Sequence, residues 1–182
     1  SKDSVVNWFE ITCTSTPTTP LPSFTPTKTP IPPGLGGTRL SDSEARAKLV
    51  PGVKIGSGVS LQDIQEATIN EANRVQGLCD CQIVITSGTE GAHASGTFSH
   101  ANGFKMDLAS KNNFGQPNNL TNYILSNPEF YYDRNRCNGT RDGANCNGTW
   151  EAVYKSRSDP NVEYVWEAKG TSNEHWDVLV KS

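Results

Sequence analysis

The stretch TWEAVYKSRSDPNVEYVWEAKGTSNEHWDVLVK, residues 149–181, decides the fold. It divides into three β-rich runs, 149–155, 162–169 and 175–181, separated by Asp159-Pro160-Asn161 and by Gly170-Thr171-Ser172-Asn173. Both separators carry turn chemistry, because Pro fixes φ, Gly admits positive φ, and Asn and Asp bond their own backbone. Short turns between consecutive runs make them neighbouring antiparallel strands. Apolar and polar residues alternate along them. Tyr164 and Trp166 form one apolar face, and Trp176, Val178 and Val180 form another. With those two faces sharing one core, Glu163, Glu167, His175 and Asp177 share the opposite side of the sheet.

Upstream the period changes. SDSEARAKLV (41–50) has a Ser/Asp start and a Pro51-Gly52 stop, which predicts a short helix. Ser60 and Asp63 open a second helix, in which Leu61, Ile64, Thr68, Ala72 and Val75 recur at helical spacing and Gly77 is the stop. CQIVITSG (81–88) reads as a buried strand and GFKMDLA (103–109) as another. Pro117 and the Asn-rich stretch after it start a helix through Tyr123, Ile124 and Leu125 that breaks before Pro128. Helices early and adjacent antiparallel strands late predict an α+β domain, an antiparallel sheet with helices packed on it.

The front of the chain differs in kind. Seven of the 11 prolines fall within the first 33 of 182 residues. Residues 1–13 hold one β-branched run, SVVNWFEITC (4–13). Residues 14–37 are a Thr/Pro-rich linker, a candidate for O-glycosylation, and residues 38–182 form the globular domain. A lone apolar strand needs a partner, so residues 4–13 are a candidate for strand donation to a second copy, giving a homo-polymer. No run of about 18 apolar residues exists, so no membrane span is expected. No basic segment followed by an apolar one opens the sequence, so a secretion leader is expected to have been removed already. Sixteen Lys+Arg against 19 Asp+Glu, a net charge of −3, argue against a nucleic-acid module that works by neutralising phosphates.

Five cysteines, Cys13, Cys79, Cys81, Cys137 and Cys146, cannot all pair within one chain. Cys137 and Cys146 bracket a polar loop and suit a small disulfide. On a strand, Cys79 and Cys81 would stand roughly 6.5–7 Å apart, at or beyond the Cα span of a disulfide. One of them is therefore expected to pair with Cys13, leaving the other free. A four-cysteine zinc site is the rival, but C-x-C with a distant C-x8-C lacks the usual close ligand pairs. Asn119, Asn138 and Asn147 open N-x-S/T sequons, candidates for glycosylation. Together these features favour a secreted or cell-surface protein.

Three histidines carry the chemistry. His100 lies in SHANGFKMD, with Gly103 three residues on and Asp107 seven on, and His175 lies in the last β run. Zinc takes imidazole nitrogen and carboxylate oxygen, and a catalytic site uses three protein ligands with one open position. A loop from His100 that turns at Gly103 returns along a strand to Asp107, which brings two of the three together.

ITSG (85–88), SHANGFKMDL (99–108) and a histidine in a late strand resemble the zinc peptidases that cut peptidoglycan peptides. These are the D,D-carboxypeptidases, D,D-dipeptidases and L-alanyl-D-glutamate endopeptidases, whose fold is shared by the hedgehog signalling domain. The resemblance covers roughly residues 60–180 and rests on the core H-x-x-G-x-x-x-D. The serine of the family pattern, two before the histidine, is replaced here by Phe98. The resemblance implies zinc held by His100, Asp107 and His175, and peptidoglycan stem peptides as substrate. In the family the base is an acidic residue shortly before the last histidine, or a histidine two before it, and Ser172 and Asn173 match neither version. Glu174 adjoins His175 and faces the other way on a strand, so Glu167, on the same side as His175, is the chosen base. The aromatic-Arg pair that often follows ITSG is Thr89-Glu90 here, and His93 is the substrate-binding candidate. The rival reading is a non-catalytic extracellular filament or surface subunit that keeps this fold and assembles through its N-terminal strand.

Overall fold

The alternation at the end of the chain builds a meander at the middle of a seven-stranded sheet. A computed structural model of the protein describes residues 36–91 and 96–181. The strand expected over 4–13, most of the Thr/Pro linker, Cys13 and His93 lie outside the described residues.

The sheet contains β2 (Val53–Ile55), β4 (Ile83–Ser87), β5 (Lys105–Ala109), β6 (Phe130–Asn138), β9 (Thr149–Ser156), β10 (Val162–Glu167) and β11 (His175–Val180), in the order β2-β4-β5-β11-β10-β9-β6. Only β2 and β4 pair in parallel. β1 (Arg39–Leu40) and β3 (Ile64–Gln65) form a small pair of their own, as do β7 (Arg141–Asp142) and β8 (Asn145–Cys146). With three helices among the described residues, α1 (Asp42–Lys48), α2 (Glu66–Cys79) and α3 (Asn119–Ser126), this is an α+β domain with a mostly antiparallel sheet.

The register follows the alternation. Glu167 pairs with His175 and Val165 with Asp177, while Asp177 stands opposite Asp107 on β5. One sheet face therefore carries Met106, Leu108, Tyr164, Trp176 and Val178, all fully buried with Ile69, Ala72 and Val75 of α2 and Leu120 and Ile124 of α3. Trp166 stacks on Trp176 at 5.2 Å, and the Trp176 indole N–H donates to Thr121 Oγ1 at 2.9 Å. The other face carries Lys105, Asp107, His175, Asp177, Glu163 and Glu167.

Local chemistry explains the helix ends. Ser41 caps α1: its Oγ accepts from the Glu44 backbone N–H, and the Glu44 carboxylate accepts from the Ser41 N–H at 2.8 Å. Asn118 caps α3 by accepting from the Thr121 N–H at 2.9 Å. α2 starts five residues later than the spacing of Leu61 and Ile64 suggests. Both side chains are fully buried, but from a loop and from β3, because burial at one point of a core mimics helical spacing over so short a run. Gly77 does not stop the helix, which runs on to Cys79.

The chain then reverses at Asp80, whose backbone is left-handed (φ 45°, ψ 44°). This reversal overturns the cysteine expectation. Cys79 and Cys81 do not lie on a strand; their Cα atoms are 5.1 Å apart and they pair with each other. Neither is left for Cys13. Cys137 and Cys146 pair as expected, with Cα atoms 5.6 Å apart. Two disulfides fit an oxidising, extracellular setting. Among the described residues no helix is long and apolar enough to cross a membrane.

Candidate metal centre

Among the described residues no helix packs on the charged face of the sheet, and a loop positions its first functional side chain. The turn 99–104 is closed by N–H bonds from Asn102 and Phe104 to Ser99 O and from Gly103 to His100 O, at 3.2, 3.1 and 2.8 Å. Gly103 has φ +76°, and a Cβ there would stand 2.4 Å from Asp63 O, so no side chain fits. Its carbonyl accepts from Gln65 N at 3.0 Å and Thr68 Oγ1 at 2.8 Å, clamping the turn onto the start of α2. His100 is thereby fixed, only 7% exposed, beside the Asp107 side chain of β5.

Both site histidines are oriented in the same way. His100 Nδ1 lies 2.8 Å from Gly88 O, and His175 Nδ1 lies 2.7 Å from Asn173 O. A carbonyl can only accept, so each Nδ1 carries the proton and each Nε2 points toward carboxylates. His100 Nε2 is 3.3 Å from Asp107 Oδ1 and 3.8 Å from Asp177 Oδ1. His175 Nε2 is 3.7 Å from the same Asp107 oxygen and 3.4 Å from Glu167 Oε2.

Asp107 Oδ1 and Asp177 Oδ1 are both buried without a hydrogen-bond partner among the described residues. Orphaned carboxylate oxygens are costly, and they persist where something else satisfies them. His100, Asp107 and Asp177 each offer one ligand atom, all within 4.8 Å of one another, a buried group able to hold a metal ion. Charge counting agrees. Asp107, Asp177, Glu151 and Glu167 face two fixed cations, Lys105 and Arg136, so four minus two leaves a deficit of two charges when both imidazoles are neutral.

The groups titrate accordingly. Burial opposes a charged His100, but Asp107 beside it and Asp177 behind outweigh burial and raise it above the usual histidine range. The hydrogen bond to Glu167 lifts His175 to about 9. Burial works against the Glu167 carboxylate, yet His175, Asp177 and the Arg136 charge hold it down to about 2. Burial is the main cause that pushes Asp177 up.

Asp107 and His175 lie between two hollows. One, about 570 Å³, is walled by Lys105, Arg136, Glu167 and the Cys137–Gly139 stretch. The other, about 400 Å³, is walled by Ser87, Ser110 and Asn173. Arg136 Nη2 donates to Glu151 Oε2 at 2.8 Å and also to Glu167 Oε1, so Glu167 is held from β6 as well as by His175.

The structure thus brings together His100, Asp107, His175 and Glu167, while His93 is outside the described residues. Sequence reasoning missed Asp177: alternation placed it on the site face, but nothing in the spacing marked it as a partner of His100. Of the sequon asparagines, Asn119 opens α3, Asn138 donates through Nδ2 to Glu151 Oε1 at 2.8 Å, and Asn147 Oδ1 accepts from Thr140 N at 2.6 Å. No protein-family model, no curated protein and no solved structure matches this chain. The fold and the site together define an α+β domain with a buried His/Asp/Asp group suited to a metal ion.

Proposed function

We propose that the protein is a secreted zinc-dependent peptidase of the D,D-peptidase and hedgehog-like fold, acting on peptidoglycan stem peptides as carboxypeptidase or endopeptidase. The observation that carries the metal is the pair of imidazoles whose Nδ1 atoms are tied to carbonyls at 2.8 and 2.7 Å, leaving both Nε2 atoms directed at buried carboxylates. A backbone carbonyl on the far nitrogen of a histidine is the usual support for a ligating ring. His100 and Asp107 would hold the ion with a donor from β11, where His175 and Asp177 both face the site. When bound, zinc supplies Lewis acidity toward a scissile carbonyl and acidifies water.

The residues of the chain do the rest. Glu167, oriented by Arg136 and His175, takes the proton of the attacking water and returns it to the leaving amine. The hollows on either side of Asp107 and His175 give room for a peptide on both flanks of the cut. The test is hydrolysis of purified muropeptides by zinc-loaded protein, followed by mass spectrometry. Glu167→Gln is expected to lower turnover by about 100- to 10,000-fold with zinc retained. Metal-loaded protein that leaves every muropeptide intact would reject the reading.

A further inference from the structure

The loop KNNFGQP, residues 111–117, joins β5 to α3 and displays the most exposed large apolar side chain among the described residues. Phe114 is 88% exposed, whereas Leu78, Leu125, Tyr132 and Trp150 are between 42% and 53% exposed. A loose loop is not the reason. Lys111 bridges Pro117, Asn112 N–H donates to Gln116 O at 2.9 Å, and Gly115 N–H donates to Asn112 O at 3.0 Å. The Asn112 side chain closes the turn from inside, its Oδ1 accepting from Phe114 N–H at 2.9 Å and from Gln116 N–H at 3.1 Å. Asn118 ties the loop down by donating through Nδ2 to Ala109 O at 2.6 Å. A built turn therefore holds an aromatic ring out in water. One exposed apolar residue alone carries little; what lies beside it decides.

Beside it is a hollow of about 280 Å³ lined by the amides of Gln82, Asn112, Asn113, Asn118 and Asn119, with Lys111. The side-chain amides of Gln82, Asn113 and Asn119 make no hydrogen bond among the described residues, so each offers a donor and an acceptor. Lys111 is already committed: its Nζ is 3.1 Å from Glu174 and donates to Thr171 O at 2.9 Å. The hollow thus favours a neutral ligand rich in hydroxyl and amide groups. Phe114 suits the same ligand, because one face of a pyranose presents polarised C–H bonds, which meet the negative face of an aromatic ring. Amides with one aromatic beside them are the chemistry that recognises a sugar. A lipid surface would call for several apolar side chains here, and the neighbours of Phe114 are polar.

The hollow is also joined to the metal centre. Ala109 and Lys111 line both it and the 400 Å³ hollow beside Asp107 and His175. Stem peptides hang from the glycan strand by their N-terminal end. A peptide cut at the metal, with its N-terminal side in the 400 Å³ hollow, leads its sugar toward Phe114 and leaves the 570 Å³ hollow for the departing side.

Resting on the peptidase reading above, we infer that the amide hollow and Phe114 bind a sugar ring of the glycan strand, which makes glycan-attached stem peptides, rather than free peptides, the preferred substrate.

The probe for the site itself is chitotetraose, a neutral N-acetylglucosamine oligomer, titrated into the full chain and followed by NMR. Wild type is expected to saturate, with shifts centred on the backbone amides of residues 111–119. Phe114→Ala, which removes a side chain that is almost wholly in water, is expected to bind about tenfold more weakly, the scale of one aromatic contact. No saturable binding, or equal binding in the variant, would overturn the proposal. Phosphatidylglycerol vesicles bound by wild type and not by Phe114→Ala, with chitotetraose ignored, would overturn it in favour of a membrane contact. The second readout compares a disaccharide stem peptide with the same peptide freed of its sugars. With the sugars present kcat/KM is expected to be at least about tenfold higher, and that advantage to disappear in Phe114→Ala. Equal kcat/KM for the two would overturn the substrate preference. Chitotetraose binding without hydrolysis of either peptide would reject the peptidase reading and leave the sugar site standing, so the two failures are separate.

Discussion

The two faces of the sheet each bear a buried cluster of carboxylates, and the clusters are finished differently. On the helix side, Glu71 of α2 is fully engaged: both oxygens receive Arg74, at 2.7 and 2.9 Å, and one also receives the Tyr164 hydroxyl. Glu129 takes hydroxyls from Ser156 and Ser158, each at 2.5 Å, and Arg74 Nη1 at 3.3 Å. On the open side, Asp107 and Asp177 each keep a buried oxygen that faces only imidazole nitrogens, at 3.3–3.8 Å, among the described residues. A closed network ties α2 to the sheet and wants nothing more, whereas an open one has a place for a ligand. Sites that break local rules of polar satisfaction are where function is expected.

The sharpest way to break this comparison is to damage each cluster in turn. Arg74→Met leaves Glu71 buried and unpaired, and is expected to cost about 3–5 kcal/mol in urea denaturation, the penalty for removing one partner of a buried ion pair. Asp177→Asn in chelator removes the charge facing Lys105 but keeps an acceptor for it, and the metal-free fold is expected to lose less, about 1.5–3 kcal/mol, the value of a hydrogen bond to a charged group. Equal costs would mean that both clusters are structural.

Zinc gives the next largest effect. At a hundredfold excess over Kd it is expected to add about 2.7 kcal/mol to the stability of the wild type, read as a shift in the urea midpoint. The same increment is expected in Arg74→Met, because the two clusters lie on opposite faces and do not share partners. A smaller increment in that variant would show that the faces are coupled.

Acid titration of one carboxyl probes the helix side. Burial opposes a charged Glu129, but Ser156 and Ser158 lead the bonds that hold it down to about 2. A carboxyl depressed on folding contributes stability above its unfolded pKa, and that contribution is lost as pH falls through the folded value. The loss therefore runs from about pH 4.5 down to about pH 2. With the side chain 20% exposed, its contribution is about 2 kcal/mol after allowing for water at its edge. Glu129→Gln is expected to unfold earlier in an acid titration and to lose less stability across that window. An unchanged slope would place the acid sensitivity elsewhere.

How much of this was legible beforehand depended on whether a residue's pattern or its depth mattered. The alternation of Tyr164, Trp166, Trp176 and Val178 foretold β10, β11 and their shared core, because period two is a backbone property. His100 and Asp107 were legible because a loop-and-return of seven residues is local. β6 was not, since FYYDRNRCN crowds charges on an edge strand whose residues are mostly exposed, and no alternation survives there. Arg136 was missed with it. Asp177 was visible as a site-face residue, but its orphaned oxygen depends on Lys105 and His100, which come from β5 and the loop before it. Pattern reports the face, and only packing reports what is left unsatisfied.

The disulfide at the end of α2 supplies the smallest test. Cys79–Cys81 closes a loop of only three residues where α2 ends, on the helix side of the sheet. By loop-closure entropy so short a ring is worth about 1.6 kcal/mol. Replacing both cysteines by serine is expected to lower stability by about that amount in urea denaturation, because the reversal at Asp80 is otherwise held by the helix and by β4. Zinc affinity is expected to stay within about twofold of wild type, since the contacts of Cys79 and Cys81 among the described residues run to Gln76 and to each other rather than to His100 or Asp107. A large drop in zinc affinity would mean that the end of α2 sets the position of the site turn through the Gly103 clamp, and that the two faces are one device.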